Sequence, residues 1–317
     1  MDYLYVLGGL VLLFLGGESV VRGAVGLARR AGVSPLFTGL VIVGFGTSAP
    51  EFLVTLQAAL TGRDAITVGN ILGSNIANLM LILGTAAAIT PVLSRWAIVR
   101  RDGTMMLAGS AVFVALGIYG EIPRVAGLAL VVILATFIGY CYRGERRGEA
   151  PPEHAADEGG LAQRHLPLGI AFTIVGIVAL VSGSRMLVEG ASAIATRAGV
   201  SEGVIGVTLV AIGTSLPELA TAVVAAVRRH GDVALGNALG SNVFNVFGML
   251  GLTAAIVPVR IDPAFLALDL WLMLGVSALL LGMLSWGNRL GRVDGVLLLL
   301  AYAAYIGLLF SPYSVIA

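Results

Sequence analysis

Two octapeptides hold the residues best suited to chemistry: GFGTSAPE, from Gly44 to Glu51, and AIGTSLPE, from Ala211 to Glu218, 167 residues later. Each sets a carboxylate, a Thr-Ser pair and a proline in the middle of a long apolar run, where a polar group is costly and marks function. Pro50 has no amide proton and its ring crowds the carbonyl of Gly46, so the helix is expected to kink or break around Gly44 to Thr47. Pro217 does the same to Gly213. Each break frees backbone carbonyls, beside Thr47, Ser48 and Glu51 in the first copy and beside Thr214, Ser215 and Glu218 in the second.

A second pair of motifs repeats the theme: GNILGSNIANLM at 69 to 80 and GNALGSNVFNVF at 236 to 247. Ser74 and Asn78 are four apart, as are Ser241 and Asn245, so each pair shares one helix face. The four motifs are expected to form the walls of one site near the bilayer midplane. Its donors are carboxylates, hydroxyls, amide oxygens and freed carbonyls, with no His or Cys. Such an all-oxygen set suits hard cations such as Ca²⁺ or Na⁺ and disfavours Zn²⁺ or Cu²⁺. Glu51 and Glu218 bring two negative charges, enough to neutralise one Ca²⁺ or two Na⁺. Intramembrane hydrolysis by Ser48 or Ser215 is the enzymatic alternative, but no membrane-embedded His or Lys is present to activate either serine. The chain therefore reads as a transporter and not an enzyme.

The elements that position these motifs follow from composition. Of 317 residues, 58% are hydrophobic and 12% charged, a balance that excludes an ordinary soluble domain. The apolar runs mostly reach about 20 residues and lack the alternation of a membrane β-barrel, so the fold class is an all-α integral membrane protein. Ten spans are expected, at 3 to 28, 35 to 61, 65 to 90, 101 to 119, 122 to 142, 166 to 197, 201 to 227, 232 to 256, 264 to 286 and 292 to 311. The acidic N-terminus and the length of its apolar run read as a retained first span, not a cleaved signal. The polar stretch 143 to 165 reads as a flexible linker.

At the 167 offset, residues 32 to 84 and 199 to 251 share 21 identities in 53 positions, an internal repeat. The expected units are residues 1–142, the linker 143–165, and residues 166–317. Five spans per half is an odd number, so the halves must enter the membrane from opposite sides as inverted-topology repeats. Thirteen Arg residues fall in connections after odd-numbered spans and four after even-numbered ones. That bias puts the linker in the cytoplasm and both termini outside. The same offset maps Glu18 and Arg22 onto Arg185 and Glu189, each read as a structural i to i+4 ion pair. Asp102 and Asp269 are expected at the interface, Cys141 is read as a helix-end thiol, and the three histidines as solvated. Scattered Arg and a net charge of +1 give no sign of a nucleic-acid partner.

GTSAPE followed by GNILGSNIAN, then GTSLPE followed by GNALGSNVFN, resembles the paired α-repeats of the sodium/calcium exchangers within the cation/calcium exchanger superfamily. The likeness covers essentially the whole chain. It implies a cell-membrane antiporter that exchanges three Na⁺ for one Ca²⁺ by alternating access, functional as a monomer, with the cargo ions and lipid as its partners and no resident cofactor. By motif position, Glu51 and Glu218 are the shared acidic ligands, and Thr47 and Thr214 give backbone carbonyls to Ca²⁺. Ser48, Ser74, Ser215 and Ser241 complete Na⁺ sites, Asn78 and Asn245 line the middle, and Gly44 and Ala211 supply carbonyls one turn earlier. Asn245 stands where the potassium-dependent exchangers carry Asp, which points away from K⁺ co-transport. Ca²⁺/H⁺ antiport and K⁺-dependent Na⁺/Ca²⁺ exchange are the alternatives on the same fold. A passive channel is disfavoured by the broken helices and the inverted repeat.

Overall fold

A computed structural model describes residues 2–31, 33–93, 96–146, 166–197, 211–287 and 289–309. In the first half the helices are α1 (Asp2–Ala31), α2 (Pro35–Thr38), α3 (Gly44–Thr47), α4 (Ala49–Leu60), α5 (Asp64–Ala77), α6 (Leu83–Ile89), α7 (Trp96–Tyr119) and α8 (Arg124–Arg146). The second half contains α9 (Leu166–Arg197), α10 (Ala211–Thr214), α11 (Leu216–Val227), α12 (Gly231–Val243), α13 (Gly251–Ile256), α14 (Asp269–Gly287) and α15 (Arg292–Leu309). Single wide turns of π-helix, Gly39–Val43, Asn78–Ile82 and Phe244–Leu250, join α2 to α3, α5 to α6 and α12 to α13. Wide turns of this kind are rare and gather at functional sites; here they flank all four motifs except the second GTSLPE, whose preceding residues 201 to 210 lie outside the described residues.

Among the described residues, eight helices are long and apolar enough to cross a membrane, and the bent pair Gly39–Thr47 and Ala49–Leu60 is long and apolar enough, taken together, to make a ninth. The protein is a multi-pass integral membrane protein. The expected seventh span, 201 to 227, is described only from Ala211, and most of the expected linker falls outside the described residues, as do His154 and His165. The fourth and fifth spans run longer than expected, to Trp96–Tyr119 and Arg124–Arg146, while the ninth begins later, at Asp269. Residues 263 to 266 form a separate 3₁₀ turn, capped by Asp262 Oδ1, which accepts from the amide of Ala264 at 2.9 Å.

Two short antiparallel bridges, not expected from the sequence, tie the halves together at their ends. β1 (Val92–Leu93) pairs with β4 (Arg289–Leu290), and β2 (Glu121–Ile122) pairs with β3 (Val259–Arg260). Each strand is a pair of loop residues near a span end, too short for a period-2 signal.

The first helix of each half runs antiparallel to the other, as inversion requires, and the seam is built on glycine. A Cβ on Gly9 would stand 2.7 Å from the carbonyl of Gly183, and one on Gly176 would stand 2.8 Å from the carbonyl of Gly16. Gly9 and Gly16 map onto Gly176 and Gly183 at the 167 offset, so these are one contact made twice. Without a hydrophobic force between helices in lipid, such close backbone approach supplies the packing. Further in, the pseudo-symmetric serines Ser110 and Ser277 meet at 2.9 Å between hydroxyl oxygens.

Polar residues outside the motifs follow the expectations in part. Glu18 and Arg22 form the ion pair at 2.6 Å, but Arg185 and Glu189 form none and both are exposed. The order explains the difference, since Glu before Arg on a helix is favoured over the reverse. Asp102 and Asp269 are buried, not interfacial: Arg101 Nε reaches Asp102 at 2.7 Å, and Tyr305 Oη donates to Asp269 at 2.7 Å. Cys141 is buried near the end of α8, its Sγ 3.9 Å from Asp102 Oδ1.

The glycine seam gives a test of the packing. Gly176→Leu should destabilise the folded protein in detergent by about 1–3 kcal/mol through overpacking, read as a lower thermal midpoint. Gly139→Leu, where nothing lies within 4 Å, should leave the midpoint unchanged.

Candidate cation site

The helix breaks fall one residue later than expected. Ser48 leaves the helical region with φ −81° and ψ 4°, and its counterpart Ser215 does the same with φ −93° and ψ 4°. The chain bends by 52° between Thr47 and Ala49. Pro50 and Pro217 then sit in the first turns of α4 and α11, where a missing amide proton costs nothing. This places Glu51 and Glu218 in the same first turns, with the positive ends of two helices behind the two carboxylates. The carbonyl of Gly213, which Pro217 cannot satisfy, accepts the hydroxyl of Ser184 from α9.

Each glutamate is only 2% exposed, and each is held by the other half of the molecule. Ser48 Oγ donates to Glu218 Oε1 at 2.9 Å, and Ser215 Oγ donates to Glu51 Oε1 at 3.4 Å. At the 167 offset these are again the same contact. The second oxygens, Glu51 Oε2 and Glu218 Oε2, are buried with no hydrogen-bond partner. Among the described residues no Arg or His side chain is buried, so no basic group pairs with either carboxylate.

The remaining residues named from the sequence gather around this pair. Thr47, Ser74, Ser241, Asn78 and Asn245 are all buried. Thr214 is half-buried, and Ala211 opens the short helix α10. Ser241 Oγ donates to the carbonyl of Gly44 at 3.3 Å and lies 3.2 Å from Ser48 Oγ. A Cβ on Gly44 would stand 3.0 Å from the amide nitrogen of Ser241, so glycine permits that approach. The mirror-image contact is not made: the Ser74 hydroxyl has no hydrogen bond to a described residue.

Four further asparagines belong to the site, all inside the motifs already noted. Asn70 Nδ2 donates to the Glu51 carbonyl at 3.2 Å and to Thr55 Oγ1 at 2.8 Å, fixing α5 against α4. Asn237 Oδ1 lies 3.3 Å from Thr47 Oγ1. Asn75 and Asn242 bridge the two halves: Asn78 Nδ2 donates to Asn242 Oδ1 at 2.9 Å, and Asn245 Nδ2 donates to Asn75 Oδ1 at 3.4 Å. The available signal was their identity in both repeats, GN at 69 and 236 and GSN at 73 and 240.

The two sides of the site differ. A cavity of about 630 Å³ separates α4 from α9, reaching from Leu60 down to Pro50 and Thr214, with Leu53 and Gln57 of α4 and Val181 and Ser184 of α9 among its lining. At the pseudo-symmetric position α1 lies against α11: a Cβ on Gly17 would stand 3.0 Å from Val224, and Arg228 clasps Glu18 at 2.7 and 2.8 Å. One side of the helix breaks carries a cavity that reaches Pro50 and Thr214, and its mirror image is packed shut.

A sequence model of the family described as sodium/calcium exchanger protein matches residues 1–143 and 168–311. The chain belongs to that family. Among its exchanger relatives, the sodium/calcium exchanger MaX1 of Methanosarcina acetivorans is 33% identical over 98% of this chain and 99% of its own. The putative antiporter CaxA of Alkalimonas amylolytica is 36% identical over 97% of this chain and 98% of its own. Among solved structures, the sodium-calcium exchanger NCX_Mj soaked with 10 mM Na⁺ superposes with a TM-score of 0.84 at 29% identity, covering 97% of this chain and 99% of that one.

The open and closed sides can be told apart by chemistry. In a Cys141→Ala background, Gln57→Cys should react readily with a water-soluble thiol reagent, while its pseudo-symmetric partner Val224→Cys, buried against α1, should be protected. Equal reactivity would show that both approaches are open.

Proposed function

We propose that this exchanger is a secondary antiporter that moves Na⁺ against Ca²⁺ across the cell membrane by alternating access, at about three Na⁺ to one Ca²⁺. The observation that carries the reading is the glutamate pair: two buried carboxylates from opposite halves, each with one oxygen on a serine of the other half and one oxygen without a partner. In the scheme, Glu51 and Glu218 are shared ligands. Thr47, Thr214, Gly44 and Ala211 give backbone carbonyls, Ser48, Ser74, Ser215 and Ser241 complete Na⁺ positions, and Asn78 and Asn245 line the centre.

Coupling follows from electrostatics. Sealing two uncompensated carboxylates inside the membrane costs several kcal/mol per charge. One Ca²⁺ or a set of Na⁺ ions removes that cost, so only a loaded site can pass through the closed state, and an exchange results instead of a leak. One Ca²⁺ brings the pair to neutrality and three Na⁺ leave one positive charge, so the cycle is electrogenic. No resident cofactor is required.

In this scheme the protein is a monomer of two inverted halves, 1–142 and 166–317, joined by a cytoplasmic linker at 143–165, with both termini outside. The cavity between α4 and α9 then faces the exterior, and the α1–α11 contact with its Glu18–Arg228 pair closes the cytoplasmic side. That ion pair is exposed enough to be worth only about 0–1 kcal/mol, so it can break in every cycle.

Vesicles loaded with Na⁺ and diluted into Na⁺-free medium should take up ⁴⁵Ca²⁺, faster with the inside positive and slower with it negative, because three Na⁺ leaving for each Ca²⁺ entering carry one net positive charge outward; uptake indifferent to the Na⁺ gradient would sink the reading. A pH gradient in place of the Na⁺ gradient separates out Ca²⁺/H⁺ exchange, and external K⁺ tests K⁺ dependence. Glu51→Gln and Glu218→Gln should each lower uptake by about two orders of magnitude or more, the scale of removing one partner from a buried charged cluster, while leaving protein that inserts and stays monodisperse.

A further inference from the structure

We propose that Asn242 and Asn75 are positioning residues that decide which end of Asn78 and Asn245 faces the cation. The inference rests on the exchanger reading, because it matters only if those two amides are ion ligands. A carboxamide has an oxygen at one end and an NH₂ donor at the other, nearly equal in shape. Turned the wrong way it presents hydrogens to a cation. Something must fix the turn.

The hydrogen-bond chain fixes it without reference to any ion. Asn242 Nδ2 lies 3.2 Å from the backbone carbonyl of Asn75, which can only accept. Asn242 must therefore use its other end, Oδ1, toward Asn78. That oxygen can only accept, so Asn78 meets it with Nδ2, at 2.9 Å. Asn78 Oδ1 is the end left over. The same contact at the 167 offset joins Asn245 Nδ2 to Asn75 Oδ1 at 3.4 Å, and there Asn245 Oδ1 is buried with no partner. All four side chains are nearly inaccessible, Asn242 at 3% and the others at 1 to 2%, so solvent does not supply an alternative donor or acceptor. The two sides differ in their anchor: Asn242 is held by its Nδ2 on the Asn75 carbonyl, while Asn75 Nδ2 is buried without a hydrogen-bond partner among the described residues, so the chain is complete for Asn78 and on the other side rests on the Asn75 Oδ1 acceptor alone.

A double-mutant cycle separates orientation from packing. A carboxylate at position 78 has oxygen at both ends and needs no orienting partner. In the full-length protein in detergent, Ca²⁺ affinity is measured by titration calorimetry for wild type, Asn242→Leu, Asn78→Asp and the double variant. Asn242→Leu should weaken Ca²⁺ binding about tenfold or more, the scale of one hydrogen bond involving a charge. In the Asn78→Asp background the same leucine should change it by less than about threefold. Asn242→Ala takes the place of leucine if the larger side chain prevents folding. Equal weakening in both backgrounds, or none in either, would overturn the proposal. Wild-type protein that binds Ca²⁺ but shows no Na⁺-coupled uptake in vesicles would overturn the exchanger reading instead, and the binding cycle would still be read on its own.

Discussion

Two carboxylates buried in a membrane protein without a basic partner are the constraint on which the rest of this structure depends. Glu51 and Glu218 are each 2% exposed, and each has an oxygen with no hydrogen-bond partner among the described residues. A protein that wanted only stability would replace both with apolar residues, since even paired buried charges rarely repay their desolvation. Their surroundings lower the cost without cancelling it. Two helix N-termini stand behind the carboxylates, and two serine hydroxyls donate to them across the repeat boundary. What is left is a buried pair of carboxylates whose charge, in the proposed reading, is completed by a cation.

The duplication does the positioning. Ser48 with Glu218 and Ser215 with Glu51, Asn78 with Asn242 and Asn245 with Asn75, Gly9 with Gly183 and Gly176 with Gly16 are three contacts, each made twice. In every case one half supplies what the other needs, so neither half forms the site alone. The symmetry is incomplete: α1 lies on α11 while α9 stands off from α4 across the cavity. Ser241 reaches the Gly44 carbonyl, and Ser74 makes no corresponding bond. The two related halves are packed differently, and in the proposed alternating-access scheme exchanging the two arrangements would open the other side.

Much of this was legible in the residues because the constraint acts on composition. A carboxylate in an apolar run, a proline three residues after the threonine of a Thr-Ser pair, and a repeat at a fixed offset are all one-dimensional signals, and Glu51, Glu218, Ser48 and Ser215 follow from them. The break position shifted from Gly44–Thr47 to Ser48 because a proline is accommodated in the first turn of a new helix and the bend falls just before it. Asn75 and Asn242 were not singled out because their role is a contact between halves, and helical spacing speaks only of neighbours on one helix. The β bridges were invisible for a related reason: two residues carry no periodicity. The Arg185–Glu189 pair shows the reverse error, where correct spacing met the unfavourable order and an exposed position.

The central claim is that Glu51 and Glu218 act as one cation site shared between Ca²⁺ and Na⁺. Equilibrium dialysis of the purified protein with ⁴⁵Ca²⁺ across a Na⁺ series tests it most directly. The account predicts one tightly bound Ca²⁺ per chain, displaced by Na⁺ with a dependence steeper than first order, because more than one Na⁺ must replace each Ca²⁺. Ca²⁺ that stays bound at saturating Na⁺, or two independent Ca²⁺ per chain, would contradict it.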